Sequence, residues 1–311
     1  MSRNPAAGMI HGSKGPYPYD EGQHLIVALR EWVYADESGI HDDALFCVVA
    51  GYRGSVEQWK KFNREWQAVL NKPEYRIKGG FHSKIFFNRK LKKNSKGNPY
   101  FGWPDNKARV FIDELLSVID KRKIRPIGCA VNVNEFQTFS YGEQSTLVGY
   151  FPEKSMRQHR LKLAPYHLAV RAMVEDSLFG VASTTELHFV IAEQKELQQR
   201  ALDGYYLTKE LWSKGERAVE TAAVRQLKGM GVEAPVDFPG LQAADLFANR
   251  WYNALVHNMR VGLDNRKIMK RLTRKRRDLP ICDVIGIEKM FAESGITPEA
   301  RSQLRAIEGP S

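Results

Sequence analysis

Two adjacent β-rich runs, followed by alternating helices and strands, limit the folds open to this chain. The runs "LREWVYADES" and "ALFCVVAGYRG" are separated by the turn-forming stretch "GIHDD", which predicts a hairpin with strands near residues 29–37 and 44–53. The segments that follow predict the order β-β-α-β-α-β-α-β-α-α. A hairpin followed by such an alternation is typical of an α/β protein with a mixed β-sheet flanked by helices.

The helices are predicted from apolar residues that recur at three and four residue steps. Ser55 is placed to cap "VEQWKKFNREWQAVLN", in which Trp59, Phe62, Trp66 and Val69 form an amphipathic stripe. The other predicted helices are "KARVFIDELLSVIDKRK", "LAPYHLAVRAMVEDSLFGVA", "ELQQRALDGYYLTKELWSK" and "FPGLQAADLFANRWYNALVHN". The remaining predicted strands are "YRIKGGFHSKIFF", "IRPIGCAVNVNEF" and "TELHFVIAEQ".

The chain is predicted to contain one main domain between two extensions. Residues 1–24 have the Gly, Pro and Ser content of a flexible leader. Residues 25–260 form the α/β domain, with an insertion near 137–160 that has no clear period, and residues 261–311 form a basic C-terminal extension.

Composition and charge favour a folded protein with a polyanionic partner. The chain has 311 residues, of which 43% are hydrophobic, and a formal net charge of +11 from 47 Lys and Arg against 36 Asp and Glu. Nucleic acid is the first partner that such a charge suggests, although the charge also serves solubility alone.

Cysteine usage and hydropathy exclude several other classes of protein. Cys47, Cys129 and Cys282 are odd in number and show no CxxC spacing, so we expect neither a disulfide framework nor a zinc cluster. The apolar run "ALFCVVAG" is too short to span a bilayer, and the first residues lack the apolar stretch of a signal peptide. We therefore expect a cytoplasmic protein with no membrane partner; its oligomeric state is not determined by the sequence.

Two adjacent acids, Asp36 and Glu37, end the first predicted strand. Neighbouring side chains on a strand point to opposite faces, so Asp36 is expected on the same face as Trp32 and Tyr34. Asp36 is therefore the first candidate for a site and Glu37 the second. Alternatively, both are solvated residues of the hairpin turn.

A third acid, Asp245, falls within the apolar stripe of the last predicted helix. It shares one helical face with Leu241, Ala248 and Tyr252. A carboxylate so placed is costly to bury without a partner, so it either pairs with a cation or helps to bind one. Gln242 and Asn249 lie three residues before and four after Asp245, where they are expected to orient it or to bind water.

Glu193 closes another apolar strand. Leu187, Phe189, Ile191 and Glu193 alternate onto one face of that strand. Asp237, in the turn before the last helix, is a further candidate ligand or simply the cap of that helix. Acids at two strand ends and on one helix are what a two-metal phosphoryl-transfer site requires, because Mg²⁺ and Mn²⁺ take oxygen ligands.

Three short motifs carry a resemblance to a known family. "YADESG", "FHSKI" and "GLQAADLFANRWYNAL" together resemble the large bacterial family called domain of unknown function 3800, over about residues 30–257. That resemblance implies a ribonuclease H-like fold and a candidate metal-dependent nuclease.

The resemblance also assigns candidate residues. The acid of the family's first motif corresponds to Asp36, with Glu37 beside it. The acid of its last motif corresponds to Asp245, and its histidine corresponds to His82. Glu193 stands where the family often has Asp. Asp36, Glu193 and Asp245 would then be metal ligands, with Glu37 and His82 as further catalytic candidates. His82 would act as a general acid or orient water, or serve as a hydrogen-bonded structural residue.

Three cationic stretches, "RKLKKNSKGN", "KSMRQHRLK" and "NRKIMKRLTRKRRDL", are candidate phosphate-binding surfaces, or else solvated or disordered segments. Tyr100, Phe101 and Trp103 either stack on bases or anchor their loop to the core. The sequence leaves open a non-catalytic module that binds nucleic acid or protein on a degenerate ribonuclease H-like fold. A toxin or phage-defence component with the same site is also open.

Overall fold

The computed structural model describes most of the chain in eight segments. These are residues 29–41, 43–91, 96–150, 161–213, 223–257, 265–273, 279–282 and 296–306. The predicted leader, residues 1–24, lies outside these segments, as do residues 151–160 of the predicted insertion and part of the predicted C-terminal extension.

A mixed β-sheet forms the centre of the described chain. Its strands are β1 (Arg30–Ser38), β2 (Phe46–Ser55), β3 (Arg125–Asn132), β4 (Glu186–Ala192), β5 (Leu227–Glu233) and the two-residue β6 (Ile281–Cys282). They lie in the order β5-β4-β1-β2-β3-β6. β2 is antiparallel to both β1 and β3, whereas the pairs β1 and β4, β4 and β5, and β3 and β6 are parallel. The predicted α/β class with a mixed sheet is therefore confirmed.

Helices cover both faces of this sheet. They are α1 (Val56–Leu70), α2 (Ser83–Phe87), α3 (Asp105–Arg122), α4 (Val133–Thr138), α5 (Tyr141–Val148), α6 (Pro165–Leu178), α7 (Gln198–Ser213), α8 (Pro239–Val256), α9 (Asn265–Leu272) and α10 (Pro298–Arg305). α1, α3, α8 and α9 pack on one side, and α6 and α7 pack on the other. Among the described helices, none combines the length and the apolar character needed to cross a membrane.

Alternation along β1 divides its side chains between two cores. Tyr34 belongs to the core beneath α1 and α8, whereas Val33 and Ala35 belong to the core beneath α6 and α7. Because successive strand residues face opposite sides, this parity directs Asp36 toward α8 and Glu37 toward α6. The buried thiols of Cys47 and Cys129 lie in the α6 core.

The start of α1 follows the prediction. Ser55 Oγ accepts a hydrogen bond from Gln58 N at 3.2 Å, and Gln58 Oε1 accepts one from Ser55 N at 2.8 Å, which completes a capping box. Trp59, Phe62 and Trp66 are buried on the sheet side of the helix, so the predicted apolar stripe is confirmed.

The strand predicted around His82 is wrong. Residues 75–82 form an irregular segment, and the short helix α2 follows from Ser83. Arg76, Gly79 and Gly80 have φ values of 49°, 84° and 83°, which are incompatible with an extended strand.

One strand was missed between the last two predicted helices. β5, "LKGMGVE", contains two glycines, which weaken a strand by their backbone entropy and lack of side chains. Its parallel pairing with β4 forms it at the edge of the sheet. Local composition does not reveal such a long-range pairing.

The aromatic residues of the predicted basic loop divide between the core and the surface. Tyr100 is fully buried and Trp103 packs against the same core, whereas Phe101 remains exposed. Tyr100 and Trp103 therefore anchor this loop, as one of the two interpretations of the sequence proposed.

The basic segment after α8 begins with a helix that packs on the domain. Ile268, Met269 and Leu272 of α9 are buried in the core that α3 and α8 share. Arg271 pairs with Asp113 and Asp120 of α3 at 3.0 Å and 2.8 Å. This part of the predicted extension is thus integrated into the domain.

Replacing Leu272 by Ala tests this packing. Leu272 is fully buried, so Leu272→Ala should lower the free energy of unfolding by about 2–5 kcal/mol, as measured by denaturant unfolding. Leu91→Ala, at a largely exposed leucine, is the matched control and should change stability by less than about 0.5 kcal/mol. Equal stability of the two variants would show that α9 does not contribute to the core.

Candidate active site

The hairpin brings Asp36 and Glu37 to the buried end of β1. In the register with β2 they lie opposite Ala50 and Val49. Only 7% of each residue's surface is exposed. The Glu37 N–H donates to Asp36 Oδ1 at 2.8 Å, which partly compensates the burial of that carboxylate. Neither residue is therefore a solvated member of the turn.

Helix α8 carries Asp245 to the same region. α8 packs on β1 and β2, and Asp245 is 9% exposed. Its Oδ2 accepts hydrogen bonds from Ser83 N at 2.7 Å and from His82 Nδ1 at 2.9 Å. Asp245 thus links α8 to the start of α2 and holds His82 in place.

The three acids share one electrostatic environment. Burial raises the pKa of Asp36 well above its usual range, and the charges of Glu37 and Asp245 raise it further. Burial raises the pKa of Glu37 to about 8, and Asp245 adds to that rise. The structure therefore brings Asp245 to the adjacent pair Asp36 and Glu37, from which it is distant in sequence, and the like charges of the three make the ionised state costly.

Of the three acids, Glu37 has the fewest hydrogen bonds to offset the cost of burying its carboxylate. Both of its carboxylate oxygens are buried, and no donor in the described segments makes a well-aligned hydrogen bond to them. Tyr166 is close enough to lower the pKa of Glu37, and the charge of Glu37 contributes to the raised pKa of Tyr166, after burial. A buried carboxylate in this condition favours a proton or a bound cation.

His82 joins this buried cluster to solvent. About half of its side-chain surface is exposed. The hydrogen bond to Asp245 raises the pKa of His82, while burial opposes that rise. His82 therefore holds a proton to a higher pH than an ordinary histidine, and its exposed imidazole can donate that proton to a group arriving from solvent.

Glu193 and Asp237 lie outside the buried cluster. Glu193 directly follows the last residue of β4, and its side chain is exposed. Asp237 is exposed in the 3₁₀ helix Pro235–Asp237 and makes no side-chain cap to α8. Glu193 thus differs in environment from Asp36 and Asp245, with which the sequence grouped it as a metal ligand.

Gln242 stabilises the segment that presents His82, a role that the sequence interpretation missed. Its Oε1 accepts hydrogen bonds from Trp66 Nε1 and from Phe81 N, both at 2.9 Å. It orients Asp245 only indirectly, through this segment. Gly80 is required there, because a Cβ at its φ of 83° would lie 2.5 Å from Gln242 Nε2. Asn249 accepts a hydrogen bond from Arg250 rather than contacting Asp245.

Arg250 is a second residue that the sequence interpretation missed. It is buried, and its guanidinium carbon lies 3.6 Å from the ring centroid of Phe87. Burial lowers the pKa of Arg250 to about 10, although the charge of Asp245 opposes that change. Its Nε and Nη1 have no acceptor within the described part of the chain. The helical stripe gave no signal for a buried cation near Asp245.

The chemistry of this cluster suits a hard divalent cation, but its geometry is incomplete. Unpaired carboxylate oxygens on Glu37, together with the like charges of Asp36 and Asp245, match the ligands that Mg²⁺ and Mn²⁺ prefer. However, across the segments that the structure describes, no three His, Cys, Asp or Glu side chains are close enough to hold one ion.

The pKa of Glu37 predicts how stability depends on pH. An exposed glutamate titrates near pH 4.5, and Glu37 titrates at about 8 in the folded protein. Between these values the folded state binds more protons than the unfolded state, so stability falls as the pH rises. Glu37→Gln removes this effect. In chelator at pH 8, the variant should be more stable by a few kcal/mol, since each pKa unit is worth about 1.4 kcal/mol.

At pH 4.5 the wild type and Glu37→Gln should unfold at nearly the same temperature, as followed by circular dichroism. Glu193→Gln makes the same chemical change at an exposed position of the same sheet edge, keeps Glu37, and should therefore retain the pH dependence of the wild type. A Glu37→Gln variant that gains nothing between pH 4.5 and pH 8 would contradict the buried, uncompensated state of Glu37.

Comparisons of the chain with protein-family models, with curated proteins and with solved structures found no match. The function proposed below is therefore supported by the strand order and the side-chain chemistry of this chain.

Proposed function

We propose that this protein is a metal-dependent nuclease that hydrolyses phosphodiester bonds on a ribonuclease H-like fold. The observation that carries the proposal is the burial of Asp36, Glu37 and Asp245 together beside a half-exposed His82. Buried acids with raised pKa values are costly to keep in a fold, and such groups cluster at functional sites.

The sheet topology supports the same proposal. In a ribonuclease H-like fold, the first three strands form an antiparallel meander, and the fourth and fifth lie beside the first and parallel to it. The order β5-β4-β1-β2-β3 and the strand directions of this chain agree with that arrangement. Because β1 and β4 are parallel, their carboxyl ends meet at one edge, where Asp36 and Glu37 lie.

Each residue of the cluster has a role in this proposal. Asp36 and Asp245, with Glu37, would hold Mg²⁺ or Mn²⁺, which when bound would activate water and neutralise charge on the phosphate. Asp245 also accepts the hydrogen bond from His82 and so orients the imidazole. His82 in its protonated form would donate a proton to the leaving oxygen or bind the phosphate.

Nucleic acid is the proposed substrate because the chain is cationic and the site has an exposed cation beside it. The net charge is +11, and Lys84 is exposed two residues after His82. Within the described part of the basic stretches, Arg89 and Lys90 pair with Asp105, and Arg271 pairs with Asp113 and Asp120 of α3. Lys84 is therefore the described cation best placed to meet a phosphate near His82.

A nuclease assay with Mg²⁺ or Mn²⁺ tests the proposal. Asp36→Asn and Asp245→Asn should each lower the cleavage rate by at least roughly 100-fold, because each removes a charged oxygen ligand. His82→Gln should lower the rate by about 10²-fold or more by removing the proton donor. Cleavage of DNA and RNA substrates is measured with excess chelator as the metal-free reference.

Asp237→Asn is the matched control, since Asp237 is exposed and lies eight residues before Asp245 in the chain; it should cleave at the wild-type rate. Glu193→Gln should retain most activity because Glu193 is exposed. The proposal is wrong if Asp36→Asn and Asp245→Asn both keep full, metal-dependent activity.

A non-catalytic nucleic-acid-binding module is a second candidate, favoured by one observation. In the described segments the carboxylates do not form a complete coordination set for one ion. Such a module would bind nucleic acid with a steep dependence on salt, would be indifferent to chelator and would be unaffected by Asp245→Asn. Binding with these properties, in the absence of any cleavage, would favour this candidate over the nuclease.

A further inference from the structure

A cavity of about 280 Å³ lies on the α6 side of the sheet, next to the end of β1. Part of its wall is the turn after β1, with Gly39 and His41, and part is the start of α6, with Tyr166. Ligand cavities generally range from about 300 to 1,000 Å³, so this one is suited to a single small unit rather than to several.

Two cations, Lys162 and Arg200, line this cavity without an ion pair in the described part of the chain. Neither Lys162 nor Arg200 makes an ion pair or a side-chain hydrogen bond with another residue of the described segments. Arg200 is close enough to lower the pKa of the Cys47 thiol at the cavity wall, although burial and Glu37 raise it overall. A pair of such cations in a concave site favours an anionic ligand, and phosphate is a common one.

The remaining wall combines hydrogen-bonding amides with apolar surface. Gln144 Nε2 donates to Phe136 O and Phe139 O, which leaves its Oε1 as an acceptor. Gln137 is exposed at the cavity and contributes a further amide. Ile40 supplies exposed apolar surface, and the nearly buried rings of Phe136 and Tyr166 lie behind it in the wall. Amides and apolar surface beside cations match a heterocyclic base that carries a phosphate.

The cavity adjoins the carboxylate cluster. Tyr166 and Cys47 both line it, and the charge of Glu37 affects the pKa of each. Glu37 points toward this side of the sheet, whereas Asp36 points toward α8, the side on which His82 lies. A nucleic-acid strand that crosses the end of β1 at the carboxylates would therefore reach this cavity next.

We propose that this cavity binds one nucleotide of the substrate strand, the one adjacent to the cleaved bond, through Lys162 and Arg200. The proposal rests on the proposed nuclease function for the identity of the ligand. It assigns the phosphate to the two cations and the base to the wall formed by Gln137, Gln144 and the apolar surface of Ile40.

Calorimetric titration with adenosine 5′-monophosphate, in chelator so that no cleavage occurs, tests this inference. The wild type should saturate in the millimolar range or below, and more tightly than with adenosine or inorganic phosphate alone. Arg200→Ala and Lys162→Ala should each weaken binding by about tenfold, the loss expected for one charge-assisted hydrogen bond. Arg109→Ala, at an exposed arginine of α3, makes the same change in charge and should bind as the wild type does.

Thermal unfolding of each variant confirms that it is folded before titration. The inference is overturned by a wild type that does not bind the nucleotide, by equal affinity for inorganic phosphate and for the nucleotide, or by an Arg109→Ala variant weakened as much as Arg200→Ala. Unchanged affinity in both Arg200→Ala and Lys162→Ala overturns it as well. Asp245→Asn should keep the binding, so loss of the nuclease proposal and loss of this one are distinguishable.

Discussion

The carboxylate of Asp245 is the group on which the arrangement of the candidate site depends. It accepts hydrogen bonds from His82 Nδ1 and Ser83 N, so it fixes both the His82 imidazole and the start of α2. Asp36 accepts one backbone hydrogen bond, and Glu37 accepts none with good geometry among the described residues. The number of hydrogen bonds that offset the cost of burying a carboxylate therefore decreases from Asp245 to Glu37. At Glu37, a proton or a bound cation would lower that cost.

One helix supplies both the carboxylate and the support for the segment that meets it. Gln242 and Asp245 are three residues apart on α8, so they lie on neighbouring positions of one face. Gln242 satisfies the N–H of Phe81, and Asp245 satisfies that of Ser83. An irregular segment thus obtains its backbone hydrogen bonds from side chains rather than from a strand partner. As a result, helix α8 fixes the position of His82 relative to Asp245.

Sequence patterns predicted those parts of the fold and site that depend on local periodicity. The hairpin, the cap of α1 and the helix carrying Asp245 follow from alternation and from apolar stripes. The segment before α2 and the strand β5 depend on contacts with residues distant in sequence, so local composition misassigned the first and missed the second. Glu193 continued an alternating pattern, but β4 ends at Ala192, and the pattern does not determine a side chain beyond the strand.

Two consecutive residues at the end of β1 serve opposite sides of the sheet. Because strand side chains alternate, Asp36 faces the core beneath α8, with Asp245, while Glu37 faces Tyr166 and the cationic cavity. The pKa of Glu37 nevertheless responds to Asp245, which shows that the sheet edge is thin enough for the two sides to interact. A ligand bound at the cavity would therefore alter the charge balance of the carboxylates. Conversely, a cation bound among the carboxylates would lower the electrostatic cost of holding a phosphate beside Arg200.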